Sequence, residues 1–226
     1  MRLRKKKFLS ERIDEVNDLL LVDNKLYIYD KPEEERFERV DLAQTFGNNN
    51  PVWLEIGCGK GKFVCEMATK YPNINFIAVE RVSNVIVSAC ERAFEEGLQN
   101  VRFVICMAEN LYYYLPQNSI SRIYLNFSCP YPKHTYANRR LTHERFLNVY
   151  KKFLVKGGEI FQKTDNRQMF DYSLASLSEN GFAVSNVSLD LHAEKDYDKL
   201  DNVVTEYETR FVEQGLPIFR LEGKLL

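Results

Sequence analysis

Glu55 stands two residues ahead of three alternating glycines in the run Glu55-Ile56-Gly57-Cys58-Gly59-Lys60-Gly61. Glycines let a chain turn sharply and bring its backbone close to a ligand. A dinucleotide fingerprint would place its third glycine at position 62, where this chain has lysine, and no Gly-Lys-Ser/Thr follows to hold a triphosphate. A carboxylate at Glu55 disfavours a pyrophosphate and favours a cationic ligand. Glu80 comes about twenty residues further on, where a carboxylate accepts both hydroxyls of a ribose. The second candidate is the loop Asn126-Phe127-Ser128-Cys129-Pro130-Tyr131-Pro132-Lys133, which runs on to Arg139-Arg140. Its two prolines stop helix and sheet alike. A stiff, polar, aromatic loop just past an apolar strand is a place to hold a ligand.

Strands alternating with helical patterns must position these residues. Short apolar runs predict strands over residues 52–56, 74–79, 101–106, 120–125, 159–163, 182–191 and 217–221. Helical spacing predicts helices over 62–71, 83–96, 109–115, 143–154, 168–180 and 206–214, with Ser83 and Thr142 as N-caps. Gly157-Gly158 reads as the turn into the fifth strand, and the charged stretch 31–39 as a short helix or a loop. This is an α/β pattern, a mainly parallel sheet of seven strands with helices on both faces. Ligands of such sheets lie beyond the carboxyl ends of the strands. The glycine turn, Glu80, Met107-Ala108-Glu109 and the Asn126 loop all follow strands. The breaker Phe46-Gly47-Asn48-Asn49-Asn50-Pro51 marks the start of the main domain. Residues 1–50 form a basic arm and approach segment, and residues 51–226 the main domain.

The chain has 226 residues, 45% of them hydrophobic, enough for one large domain with a core. No apolar run approaches the roughly 20 residues that a membrane helix needs, and the basic start is followed by no apolar leader, so a cytoplasmic protein is expected. Five cysteines without a C-x-x-C pair, and three scattered histidines, predict free thiols and no metal site. Net charge is −1, so the molecule as a whole is no general polyanion binder. Local basic runs stand out at Arg2, Arg4, Lys5, Lys6, Lys7 and Arg12, and again from Lys133 to Lys156. Such runs suit phosphates.

The pattern Glu55-x-Gly57-x-Gly59-x-Gly61 resembles the first motif of class I S-adenosylmethionine methyltransferases. Asn126-Phe127-Ser128-x-Pro130-x-Pro132-Lys133, Arg139-Arg140-Leu141-Thr142 and Phe161-x-Lys163-Thr164-Asp165-Asn166-Arg167 narrow the resemblance. So do Leu189-Asp190-Leu191-His192 and Thr205-Glu206-Tyr207-Glu208. In order and over almost the whole chain, these resemble the tRNA (guanine-N7)-methyltransferase family. The resemblance implies a Rossmann-like fold and methyl transfer from S-adenosylmethionine to N7 of a guanine in the tRNA variable loop. It implies a cofactor site at Glu55, Gly57, Gly59, Glu80, Met107, Ala108 and Cys129. It implies substrate contacts from Lys133, Arg139, Arg140, Asp165, Thr205, Glu206, Tyr207 and Glu208. The reaction centre falls at Cys129 and Asp165, with tRNA as partner, no metal, and a monomer or homodimer.

Three positions depart from the family pattern. The family reads Asp-Pro-Trp-Pro-Lys where this chain has Cys129-Pro130-Tyr131-Pro132-Lys133, so a carboxylate is replaced by a thiol. Met107 stands where an acidic or amide residue recognises adenine. The run after Lys133 carries fewer cations than usual. A tRNA-binding protein with weak or lost catalysis is the alternative reading that Cys129 and Met107 leave open. Thr205-x-x-Glu208 also has the form of a capping box.

Overall fold

The structure is a computed structural model and describes residues 7–21, 39–195, 197 and 202–226. Arg2 to Lys6 of the basic arm, and all of 31–39 except Arg39, lie outside the described residues. Seven strands form one sheet in the order β3-β2-β1-β4-β5-β7-β6. They are β1 (Val52–Ile56), β2 (Asn75–Val79), β3 (Val101–Val104), β4 (Ile120–Asn126), β5 (Leu154–Thr164), β6 (Phe182–Ser188) and β7 (Phe219–Leu225). The chain divides into two compact units, Met1–Pro116 and Gln117–Leu226.

In the first unit, β1 pairs in parallel with β2, and β2 with β3. All of β2 is buried, which is why it reads as an apolar run from Phe76 to Val79; the buried Asn75 at its start donates to Asn48 Oδ1 at 2.8 Å. Two small helices precede the strands, α1 (Leu9–Glu15) and α2 (Leu42–Phe46). Gly47 closes α2 at φ 67°, in the left-handed region, as the Phe46–Pro51 breaker requires. Between the strands run α3 (Lys62–Lys70) and α4 (Ser83–Glu95), followed by the short α5 (Leu111–Tyr114). Helix α3 buries Phe63, Val64, Cys65, Met67 and Ala68. Ser83 does not cap α4: the N-cap is Val82, without a side-chain bond, and the Val82 N–H donates to Glu80 Oε1 at 3.0 Å.

Gly61 is fixed by packing as well as by conformation. It sits at φ 81°, and a Cβ there would lie 2.6 Å from Ala89 Cβ on α4. Gly61→Ala is therefore expected to cost the left-handed strain of about 1–2 kcal/mol and overpacking of about 1–3 kcal/mol. Gly59→Ala, at φ 57° with open space around it, carries the strain alone. Urea unfolding of the two variants should rank Gly61→Ala as the less stable.

In the second unit, β4 pairs in parallel with β5, and β7 lies antiparallel between β5 and β6. The helices are α6 (Glu144–Tyr150), α7 (Arg167–Glu179) and α8 (Glu206–Glu213). Strand β5 is longer than the expected 159–163, because Gly157-Gly158 is not a turn. The pairing jumps from Ile120↔Leu154 to Arg122↔Glu159, so the glycines form a bulge inside the strand. A Cβ on Gly158 would meet Leu154 Cδ2 and the Val155 carbonyl at 2.9 Å, so the backbone passes too closely for a side chain. Strand β7 begins at Phe219 and runs on to Leu225. Thr142 is not the cap of α6 either. His143 takes that place, its Nδ1 accepting from the Arg145 N–H at 3.2 Å. Thr142 is buried and bonded to Ser173 Oγ at 2.8 Å, and its carbonyl accepts from Ser176 Oγ at 2.6 Å. It ties the chain before α6 to α7.

Candidate active site

The glycine turn lies at the carboxyl end of β1. The Gly57 and Cys58 N–H groups both donate to the Val79 carbonyl, at 2.7 and 3.0 Å, which anchors the turn to the end of β2. Gly57 stands at φ 87° and Gly59 at φ 57°, and a Cβ on either would meet nothing within 4 Å. Space is left at the turn, unlike at Gly61. Glu55 is buried beside it. Glu80 follows β2 half-buried, one carboxylate oxygen engaged by the Val82 N–H. Burial pushes the Cys58 thiol well above its ordinary value, and the Glu55 and Glu80 carboxylates push it further. The turn thus sits in a negative field, one that favours a cation and keeps Cys58 a neutral thiol. Met107 is exposed, and Ala108, buried, opens a 3-10 turn with Glu109 and Asn110.

The loop after β4 is held in an unusual shape. Phe127 and Tyr131 have φ of 49° and 41°, left-handed values that cost a residue with a side chain about 1–2 kcal/mol. The Phe127 N–H donates to the Lys163 carbonyl at 2.8 Å. Arg140 is buried, and its guanidinium donates to two successive loop carbonyls, Pro130 and Tyr131, each at 3.0 Å. The same guanidinium lies 4.4 Å from the Tyr172 ring. Arg140, expected as a substrate contact, is therefore turned inward to clamp the loop. Cys129, Lys133 and Arg139 are exposed. Lys133 leads into a 3-10 helix, His134–Arg139, and the Arg139 guanidinium lies 4.8 Å from the Tyr136 ring.

Lys163 has no assigned role in the sequence motifs, yet it is the hub of the second unit. Its ammonium donates to Glu208 Oε2 at 2.5 Å, Asn202 Oδ1 at 2.7 Å and the Val203 carbonyl at 2.8 Å. Glu208 is fully buried. It also accepts from Asn202 Nδ2 at 2.9 Å and the Thr205 N–H at 3.2 Å, and pairs with His192 Nε2 at 2.9 Å. Burial pushes the Glu208 carboxyl upward, but the Lys163 ammonium and the bonds from Asn202 and Thr205 outweigh it and hold the carboxyl below its usual range. Thr205, also buried, completes the capping box at the start of α8. The signal for Lys163 was a cation inside a buried strand, which has to find a partner. Thr205 and Glu208, expected to touch substrate, are occupied in building α8. Glu206 and Asp165 are half-buried and Tyr207 is exposed. Asp165 lies just past β5, next to Asn166, which caps α7 by accepting from the Met169 N–H at 2.8 Å.

The five cysteines are free. Burial carries Cys65, Cys90 and Cys106 up to about 12. Among the described residues no three His, Cys, Asp or Glu side chains gather as metal ligands, and no helix is long and apolar enough to cross a membrane.

A mainly parallel seven-stranded sheet, with a glycine turn after its first strand and carboxylates at the ends of its first two, defines a class I methyltransferase fold. Solved methyltransferases share it. The 16S rRNA methyltransferase KamB aligns with a TM-score of 0.62 at 14% identity, over 84% of this chain and 97% of its own. An antibiotic-related methyltransferase aligns at 0.58 and 21% identity, over 81% and 92%. Residues 49–221 match a family described as putative methyltransferase. Relatives in Bacillus cytotoxicus and Lysinibacillus sphaericus are both 42% identical, over 99% and 100% of this chain and 97% and 99% of theirs. One in Streptococcus mutans is 40% identical over 99% of this chain and 100% of its own. All three carry the name tRNA (guanine-N(7)-)-methyltransferase, and this chain belongs to that family.

Proposed function

We propose that this protein transfers a methyl group from S-adenosylmethionine to N7 of a guanine in the variable loop of tRNA. The observation that carries this reading is full-length identity of 40–42% to tRNA (guanine-N(7)-)-methyltransferases. When bound, S-adenosylmethionine supplies a methyl group on a positively charged sulfur. Residues 51–226 serve as the transferase domain, working in the cytoplasm as a monomer or homodimer.

The open turn at Gly57 and Gly59 and the negative field of Glu55 and Glu80 fit a cationic adenosyl ligand. We assign the ribose hydroxyls to Glu80 and the adenine to the backbone of Met107 and Ala108. Glu80 keeps one carboxylate oxygen for this, since only Oε1 is engaged by Val82. The Met107 side chain offers no donor and only a weakly accepting sulfur, so the backbone must supply the main polar recognition.

Guanine N7 carries a free lone pair, so the chain needs no general base for the transfer. Its work is to hold N7 in line with the methyl group and to stabilise positive charge on the purine. Asp165 and Glu206 suit the guanine N1–H, its amino group and that charge. Lys133 and Arg139, both exposed cations, suit tRNA phosphates. Arg140, Thr205 and Glu208 act through the loop and α8, as positioning residues.

Cys129 puts a thiol where the family has a carboxylate, and its exposure leaves room for an acid. Cys129→Asp is expected to raise the single-turnover rate or leave it level. A large fall would show that the thiol has a role of its own. The function itself is tested with labelled S-adenosylmethionine and unmodified tRNA. Label should enter tRNA and be released on digestion as 7-methylguanosine. Equal labelling of small acceptors without RNA would contradict the assignment.

A further inference from the structure

We propose that Tyr207 is a catalytic residue, an electron-rich ring on which the target guanine stacks as it becomes a cation. The inference rests on the tRNA methyltransferase reading and names the group that stabilises charge where Cys129 has replaced an acid. Tyr207 is 58% exposed, on the first turn of α8. It is not a stray surface ring. Phe127 lies stacked with it, centroids 6.5 Å apart and planes 20° from parallel. Phe211 stacks with Phe127 in turn, at 5.9 Å and 25°. The three rings form a ladder whose outermost member faces solvent.

Both supports of the ladder are fixed. Phe127 is held in its left-handed conformation by the Lys163 carbonyl, and α8 by the buried Lys163–Glu208 pair and its capping box. A rigidly backed, exposed aromatic ring is a stacking platform for a nucleobase. The ring already attracts a cation, since the Arg210 guanidinium lies 5.6 Å from its centroid. Arg210 is exposed, so a purine can displace its guanidinium from the ring and leave it to meet a tRNA phosphate instead.

Methyl transfer makes this stacking catalytic. The N7 lone pair forms the new bond to the methyl carbon, and the carbon–sulfur bond breaks with its electron pair left on sulfur. The positive charge passes to the guanine ring, and no proton moves. An aromatic face attracts a cation more strongly than a neutral ring, so Tyr207 binds the transition state and product more tightly than the ground state. That difference accelerates the reaction.

The test compares tRNA affinities of the full chain in the presence of S-adenosylhomocysteine. One tRNA is unmodified, and the other carries 7-methylguanosine at the variable-loop position. Wild type should prefer the methylated tRNA, and Tyr207→Phe should keep that preference. Tyr207→Leu should reduce it by about 2-fold to 30-fold, the range of a cation–π contact. It should lower kcat more than it raises KM, with Tm and S-adenosylhomocysteine affinity unchanged. The same preference in wild type and Tyr207→Leu overturns the proposal, and so does its loss in Tyr207→Phe. A wild type that methylates no tRNA overturns the functional reading instead, and this inference with it.

Discussion

Lys163→Ala is expected to lower the unfolding free energy by about 3–5 kcal/mol, the usual cost of stripping one partner from a buried ion pair. The loss is large because Glu208 is fully buried and its carboxylate would keep its charge without the ammonium 2.5 Å away. Asn202 and Val203 would lose the same donor. Removing both charges at once, as Lys163→Met with Glu208→Leu, should cost less than the single change, since an apolar pair leaves no orphaned charge. The pH dependence has a definite sign. The Glu208 carboxyl is held below its ordinary value of 4.5. The stability it contributes is therefore complete above that value and is lost as pH falls through the lower, folded value. In Lys163→Ala the same carboxyl is pushed up by burial, so acid relieves its penalty. Urea titrations at several pH values should show the gap between wild type and Lys163→Ala narrowing toward acid. A gap constant from pH 7 to pH 4 would contradict the arrangement.

Arg140→Ala should reduce methyl transfer by about a hundredfold, the scale at which small displacements of reacting groups act. The guanidinium holds two carbonyls of a loop that carries two left-handed residues. Without it, each carbonyl loses a charge-assisted bond of about 1.5–3 kcal/mol, and the strain at Tyr131 is free to relax. The loss should fall mainly on kcat, because Arg140 is buried and its guanidinium is spent on the Pro130 and Tyr131 carbonyls. Arg140→Lys should recover only part of the activity, since an ammonium lacks the planar fork that spans both acceptors. Added guanidinium ion should restore part of the rate to Arg140→Ala and none to wild type. A change in the salt dependence of tRNA binding, with kcat unmoved, would mean that Arg140 contacts phosphate after all.

These two residues show where the sequence stopped being informative. Strand identity was legible because apolar runs of five to ten residues mark extended segments, most of them buried, and each of the seven strands overlaps one of those runs, although β6 is largely exposed. Their edges were less legible. Gly157-Gly158 reads as a turn, but close passage of the backbone makes it a bulge within β5. Ser83 and Thr142 have cap chemistry, but a cap is decided by backbone direction, and Val82 and His143 hold those places. The glycine turn and the acids at strand ends were readable because spacing alone sets them at one kind of position. The pairings of Arg140, Lys163 and Glu208 were not: even where a strand pattern marks Lys163 as buried, a charged residue does not name its partner. The partner of Lys163 lies 45 residues away in the sequence. The ladder of Tyr207, Phe127 and Phe211 brings together β4's loop and α8 in the same way.

The most direct test of the account is to map the methyl group in tRNA treated with the purified protein. Borohydride reduction followed by aniline cleaves an RNA chain at 7-methylguanosine. One cleavage site is expected, at the variable-loop guanine, present only when S-adenosylmethionine was supplied and lost when that guanine is replaced by adenine. Cleavage elsewhere, or methyl incorporation that survives the replacement, would contradict it.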